Sequence, residues 1–354
     1  MKPRVYDNKG HLIGILENAV EITYSKKFND LWTAGFKLPV PDPKNALCQM
    51  MNLVEIYDGE RSMGLYRIVE APSTSLTEFG SYVEYSLEHV ITFLMGDFIY
   101  TQSMSGNTTV KNAILHLLGK QTPITVDGTS LVRWQLGECD YTETKFYQFE
   151  ETNLLKALFD VPLQITDSVW HYEYDTSALP WTMDMKELTN AINCEIRYGK
   201  NLVDIERQID ASKLVNRLYV FGPNGETISS VNSGQLYIDD AESIAQYGVF
   251  AGEYKSETTG SAQALKDDGL QALAAYSQPV ISYSVKAIDT YLETGRERDR
   301  FDEGKVARIV ATNQDIDIVA RIIEVTKNDV DGDPLAVDLT IANIGNRFWR
   351  LYDR

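Results

Sequence analysis

The side chains of this 354-residue chain best suited to nucleophilic or metal chemistry are four histidines (His11, His89, His116 and His171) and three cysteines (Cys48, Cys139 and Cys194). Zinc hydrolysis would need a His-Glu-x-x-His pair, which sets two imidazoles on one helix face beside a general base. Serine chemistry on a hydrolase sheet would need a Gly-x-Ser-x-Gly elbow. Neither pattern occurs. Cys139 and His171 are the one thiol–imidazole pair to weigh as a dyad. A thiolate nucleophile needs neighbours that lower its pKa, whereas the run Gly137-Glu138-Cys139-Asp140 surrounds the sulfur with carboxylates that raise it. Both residues are therefore expected to be packing or surface positions. The cysteines are few, odd in number and far apart, which fits a reduced, cytosol-made protein without a disulfide framework or zinc ribbon.

Other polar runs have plain explanations. Asp329-Val330-Asp331-Gly332-Asp333-Pro334 superficially resembles a calcium loop. Its Gly comes at the fourth position rather than the sixth, and Thr340 stands where a bidentate Glu is expected, so a hairpin turn is predicted. Glycine-rich phosphate loops are absent, and Arg296-Glu297-Arg298-Asp299-Arg300 is expected to be a solvated loop. No catalytic residue, cofactor or metal is predicted. Two aromatic groups remain. Phe348, Trp349 and Tyr352 lie on a basic C-terminal segment, either as a strand packed back on the core or as a partner-docking anchor. Trp170, Tyr174 and Trp181 are candidates for lining a glycan-binding cleft.

The elements that would carry these residues are mostly strands. Residues 1–100 contain short β-branched or aromatic runs (Leu12–Leu16, Ala19–Tyr24, Leu53–Tyr57, Met63–Val69, Tyr82–Ile91), with Asp58-Gly59-Glu60-Arg61 as a hairpin turn. Residues 101–190 mix strands with two helices. Thr108 and Thr109 can cap the first, which stops at Gly119; the second begins near Thr152 and ends at Pro162. From Cys194, three alternating runs ending at Phe221 predict an antiparallel meander. Helices follow at Asp240–Tyr247 and Ser261–Tyr276, and strands return from Val280 to Ala342. The predicted class is mainly β with α+β insertions. It comprises a first antiparallel barrel-like domain over 1–100, a mixed insertion domain over 101–190, a second barrel-like domain over 191–345 with a helical insertion at about 239–279, and a tail over 346–354.

Composition narrows the function further. With 51 acidic against 33 basic residues the net charge is −18, which repels duplex DNA and also serves solubility. MKPRVYDNKG has no apolar core for a signal peptide, and no apolar run approaches the ~20 residues of a membrane helix. Synthesis inside a cell, without export by the usual route, and no membrane insertion are expected.

One ordered set of short segments carries a resemblance. It comprises Tyr198-Gly199-Lys200-Asn201-Leu202, then Ile205-Glu206-Arg207, then Val215-Asn216-Arg217-Leu218-Tyr219-Val220-Phe221-Gly222. It continues through Tyr237-Ile238-Asp239-Asp240, Ile244, Tyr247-Gly248 and Pro279–Tyr283, and ends with Val319–Val325 and Leu339–Asn343. Together they resemble the tail-associated proteins of long-tailed bacteriophages, a family labelled prophage tail endopeptidase or phage minor structural protein. The resemblance implies a virion structural protein at the tail tip, a homotrimeric baseplate hub of two related β-barrel domains per subunit. It implies contacts with the distal tail protein and with the tail tube and tape measure proteins, and DNA passing through without specific binding. The lytic activity of longer relatives sits in a separate C-terminal domain that this sequence does not carry, so no enzyme is expected. The alternatives are a cell-wall or receptor (carbohydrate) binding module and a peptidoglycan-degrading tip module.

Overall fold

The computed structural model describes residues 1–70, 72–77, 80–163, 169–222, 225–255 and 261–343. The chain divides into two compact units. The first holds Met1–Ile205 with Val285–Ile341, and the second is centred on Glu206–Ser284. These units cut across the boundaries expected at residues 100 and 190. The class is as expected: mainly β with α+β insertions.

The N-terminal strands are β1 (Arg4–Tyr6), β2 (Leu12–Ile15), β3 (Val20–Lys27), β4 (Thr33–Pro39), β5 (Leu53–Asp58), β6 (Arg61–Ile68), β7 (Ser73–Thr77) and β8 (Gly80–His89). All their pairings are antiparallel. Alternation places Ala34, Phe36 and Leu38 inward on β4, and Phe36 stacks on its register partner Tyr85 with centroids 4.9 Å apart. The predicted hairpin turn is present, with Gly59 at φ +62°.

The middle segment contributes β9 (Phe98–Thr109), α1 (Val110–Leu118), β10 (Ile124–Val126), β11 (Thr129–Leu131), β12 (Trp134–Cys139), β13 (Thr144–Asn153), α2 (Leu154–Leu163), β14 (Val169–Asp175) and β15 (Trp181–Leu188). Thr109 caps α1 through its hydroxyl and Asn153 caps α2 through its amide oxygen. Helix α2 runs one residue past Pro162, where it was expected to stop. Pro162 has no N–H for the Leu158 carbonyl, and the Tyr172 hydroxyl donates to that carbonyl instead at 2.8 Å.

The later strands and helices are β16 (Cys194–Arg197), β17 (Leu202–Asp210), β18 (Arg217–Phe221), β19 (Tyr237–Asp239), α3 (Ala241–Tyr247), β20 (Ala251–Lys255), α4 (Ala262–Tyr276), β21 (Val280–Ile288), α5 (Tyr291–Thr294), β22 (Val306–Ala311), β23 (Ile316–Lys327) and β24 (Ala336–Asn343). The expected meander does not form. Strand β16 pairs in parallel with β22, β17 lies beside β21, and β18 sits between β19 and β20. The Gly199 turn exists, at φ +77°. The buried Asn201 side chain holds it, accepting from Arg197 N and donating to Glu195 O, so the two flanking strands are not drawn into a ladder. Strand order in the large sheet is β17–β21–β24–β23–β3–β4–β8–β6–β5–β1–β2. The antiparallel β23–β3 pair therefore joins the N-terminal and C-terminal β blocks.

In the second unit, α4 packs Leu265, Gly269, Ala272 and Leu273 against Leu218, Val220 and Ile238. Asn216, fully buried, donates to the Ser243 hydroxyl and Gly248 O and accepts from Phe250 N. Arg217 makes a bidentate pair with Asp239, and Asp240 caps α3. Among the described residues, no helix is long and apolar enough to cross a membrane.

Gly269 gives this packing a sharp test, because a Cβ there would stand 2.7 Å from a Val220 methyl. Gly269→Ala would gain about 1 kcal/mol in helix propensity and lose about 1–3 kcal/mol to overpacking. The expected outcome is a lower urea midpoint; a raised midpoint would show that the helix and strand have room to separate.

Candidate functional site

Strand β3 points Ile22, Tyr24 and Lys26 to its buried side. Lys26 Nζ lies 2.9 Å from Glu303 Oε1 and 4.2 Å from the Trp32 ring centroid. His171, from β14, stacks on Phe28 and places Nδ1 3.1 Å from Asn29 Oδ1, with Nε2 3.8 Å from Glu303. The neighbouring Asp302 accepts from Arg61 Nη1 at 3.0 Å and Arg300 Nε at 2.6 Å, with Lys305 at 3.5 Å. The Asp302–Lys305 loop is tied to β23 by Gly304 N to Ile322 O and Ile322 N to Lys305 O, and the Arg321 guanidinium donates to Gly304 O. Gly304 sits at φ +83°, where a Cβ would meet Phe28. Lys26, His171, Arg61, Arg300 and the Asp302–Lys305 loop, with Trp32, Glu173 and Tyr174, line an open pocket of about 400 Å³.

A second buried ion cluster lies on the same seam. Lys327 Nζ is 2.7 Å from Asp58 Oδ2 and 3.8 Å from Asp289 Oδ2, and donates to Pro334 O at 2.8 Å. The Tyr24 hydroxyl donates to Asp58 at 3.1 Å.

Burial dominates the electrostatics. It raises Asp289, with Lys327 opposing, and raises Glu303, with Lys26 opposing. Burial would raise Asp302 too, but Lys26, Arg61, Arg300 and Lys305 outweigh it and hold this carboxyl low. His89 and His171 are pushed down to about 3, first by burial and then by Lys26.

Cys139 and His171 have separate partners. Cys139 Sγ contacts Tyr141 O and its pKa is raised, first by burial, whereas His171 faces Asn29 and Glu303. Trp170 packs with Phe159 and Tyr172; Trp181 packs with Phe93 and Trp134. Both tryptophans are buried, and of the three predicted glycan aromatics only Tyr174 reaches the pocket. Phe348, Trp349 and Tyr352 lie outside the described residues. Asp329–Pro334 is a turn in which Asp329 Oδ1 accepts from Asp331 N and Gly332 N. Among the described residues no group of His, Cys, Asp and Glu is placed to hold a metal. The Arg296–Arg300 run is not wholly solvated as expected. Asp299 is buried against Lys200 and Arg300 lines the pocket, because the chain turns back there into β22.

Sequence reasoning missed Lys26, Lys327, Asp302 and Glu303. Strand parity held a signal for the lysines: Lys26 continues Ile22 and Tyr24, and Lys327 follows Val325, on buried faces. No local pattern marks the two acids.

Residues 190–350 match the family described as Prophage endopeptidase tail. The fold is similar over almost the whole chain to a prophage tail protein, gp18, from Listeria monocytogenes EGD-e (15% identity, TM-score 0.58, covering 97% of this chain and 94% of that one). It is similar to a tail protein from Neisseria meningitidis MC58 (11% identity, TM-score 0.65, 97% of each chain). A third similar structure is the 43 kDa tail protein of prophage MuSo2 from Shewanella oneidensis (9% identity, TM-score 0.61, 97% and 98%). The family match covers residues 190–350, under half of the chain, and the solved tail proteins share the chain's fold. No curated protein matches it in sequence. In this tail-protein fold the segments that carry the sequence resemblance are scaffold: Asn201 holds a turn, Asn216 ties three loop groups together, and Arg321 holds the Gly304 loop.

Two predictions test the buried charges. Lys327→Met leaves Asp58 and Asp289 without their cation and is expected to cost about 3–5 kcal/mol in chemical denaturation. Adding Asp58→Asn and Asp289→Asn should recover part of that loss; no recovery would mean that Lys327 acts by packing alone. Because folded His171 titrates near 3 instead of its ordinary 6.5, the unfolded chain takes the proton first. The His171 contribution is complete above pH 6.5 and is lost as pH falls towards 3. Urea midpoints should therefore fall with acidification, and less steeply in His171→Gln; equal slopes would show that His171 is not the group responsible.

Proposed function

We propose that this chain is a structural, non-enzymatic protein of a long-tailed bacteriophage or prophage, located at the virion tail tip. Three copies form the hub at the distal end of the tail tube. The observation that carries this reading is the end-to-end similarity of fold to three tail proteins, with coverage of 94% or more on both sides. A fold match at such low identity speaks to architecture, and architecture is what a structural protein supplies.

Ring closure requires heterologous contacts, one face of each subunit meeting a different face of the next. Strand β2 suits such a face, since among the described residues it ends the strand order of the sheet and exposes Leu12, Ile13 and Ile15. The hub would join the distal tail protein and the tube and tape measure proteins. The net charge of −18 supports a passage in which DNA slides without specific binding.

Light scattering over a range of protein concentrations tests the assembly, with the distal tail protein absent and then present. The expected species in at least one condition is three times the 40.0 kDa chain, and Ile13→Lys should weaken it. A monomer in every condition would refute the hub. Cell-wall zymography should show no clearing.

A further inference from the structure

Among the described residues, the half-buried Arg133 guanidinium has no hydrogen-bond or ion-pair partner. Arg133 directly precedes β12, and its Cζ lies 4.3 Å from the ring centroid of Phe93, on the short turn Val90–Gly96. Arg67 of β6 stands over the same ring at 5.0 Å and donates to Glu88 at 3.2 Å. Two guanidiniums thus share one ring, and only Arg67 has a carboxylate in contact. Burial lowers the Arg133 pKa, Asp97 opposes, and Arg67 lowers it further. Asp97 is committed elsewhere, its Oδ1 accepting from Thr122 N at 2.9 Å. The other observation at this place is apolar. The three side chains and Asp97 line an open groove of about 520 Å³ together with Met51 and Met95, each 42% exposed. Met51 is also at φ +67°, left-handed backbone that Gly or Asn adopts at less cost. Strain that presents an exposed apolar side chain has no use in the fold, and a binding surface accounts for it.

We propose that this groove docks a protein segment in which carboxylates alternate with large aliphatic side chains. Arg133, with Arg67 beside it, receives a carboxylate, and Met51 and Met95 seat the aliphatic groups. Charge complementarity selects the acid, since the groove holds the cation that lacks a partner. The methionines select the apolar part, because a flexible thioether chain moulds itself to unlike apolar surfaces. Arg, Met and aromatic residues are also the types enriched where proteins meet. Nucleic acid fits poorly. Two cations beside Asp97 and Glu88 release few counterions, and the Phe93 ring, already packed by both guanidiniums and by Trp181 at 6.2 Å, offers a base no open platform. A free anion would satisfy Arg133 and leave both methionines exposed. The inference does not depend on the tail assignment.

Fluorescence anisotropy of a labelled, C-terminally amidated peptide alternating aspartate and leucine, titrated with the full chain, tests it. The expected result is one saturable site that weakens as salt is added. The same peptide with asparagine for aspartate should bind about tenfold more weakly, the weight of one charge-assisted contact. Serine for leucine should weaken it by a similar factor through lost apolar burial. Arg133→Gln should reduce affinity for the aspartate–leucine peptide about tenfold. Met51→Gly should also reduce it without lowering the urea midpoint, because relief of the left-handed backbone offsets the added chain entropy; a methionine with a purely structural role would lower the midpoint and leave affinity alone. Equal binding of the asparagine peptide would overturn the proposal, and equal binding of the serine peptide would reduce the groove to a bare anion site and overturn it too. So would unchanged affinity in either folded variant, or no saturable binding of the aspartate–leucine peptide up to about 10 mM.

Discussion

The first unit depends on one seam, the antiparallel ladder between β3 and β23, which places Lys26 opposite Val325 and Tyr24 opposite Lys327. Residues some three hundred positions apart in the sequence meet here, and no other pairing among the described residues joins the N-terminal strands to the C-terminal ones so directly. Each side of the seam carries a buried lysine with its own acids. Lys26 takes Glu303, and Lys327 takes Asp58 and Asp289. Buried ion pairs add little net stability over apolar packing, because desolvation offsets attraction. Their effect is on register. Slipping β3 by one residue would turn Lys26 to the other face of the sheet and leave Glu303 buried without its cation.

The same seam builds the pocket. Hydrogen bonds to Ile322 on β23 fix the Asp302–Lys305 loop, and Arg321 on that strand holds Gly304. His171 then closes the back of the pocket against Phe28 and Asn29, which follow β3 directly. The charges at the site are thus positioned by a structural joint.

A neighbouring aromatic cluster supports the joint from the middle segment. Trp32 contacts His89 and Tyr174, and Trp134 contacts His89, Tyr174 and Trp181, with ring centroids 4.9 to 6.1 Å apart. Residues that look like sugar platforms in the sequence serve here mainly as core. A ring buried on both faces offers a glycan nothing to stack on, and only the edge position of Tyr174 leaves it at a pocket wall.

Much of this protein is legible in its amino-acid sequence. A helix capped by Thr109 forms as predicted, helices stand at the expected Asp240–Tyr247 and Ser261–Tyr276 stretches, the Asp58–Arg61 hairpin forms, and the mainly β class follows from short alternating runs. These are local properties: a cap or a tight turn is set by the few residues that make it. Strand partners are not legible in the same way. The three runs from Cys194 to Phe221 alternate as a meander would, yet each finds its neighbours far along the chain, at Val306–Ala311, Val280–Ile288 and Tyr237–Lys255. Alternation tells which face a residue takes, whereas the ladder beside it is chosen by long-range burial. For the same reason the sequence alone holds Lys26 and Lys327 on buried parities but cannot name their acids; only tertiary packing brings Glu303, Asp58 and Asp289 to them.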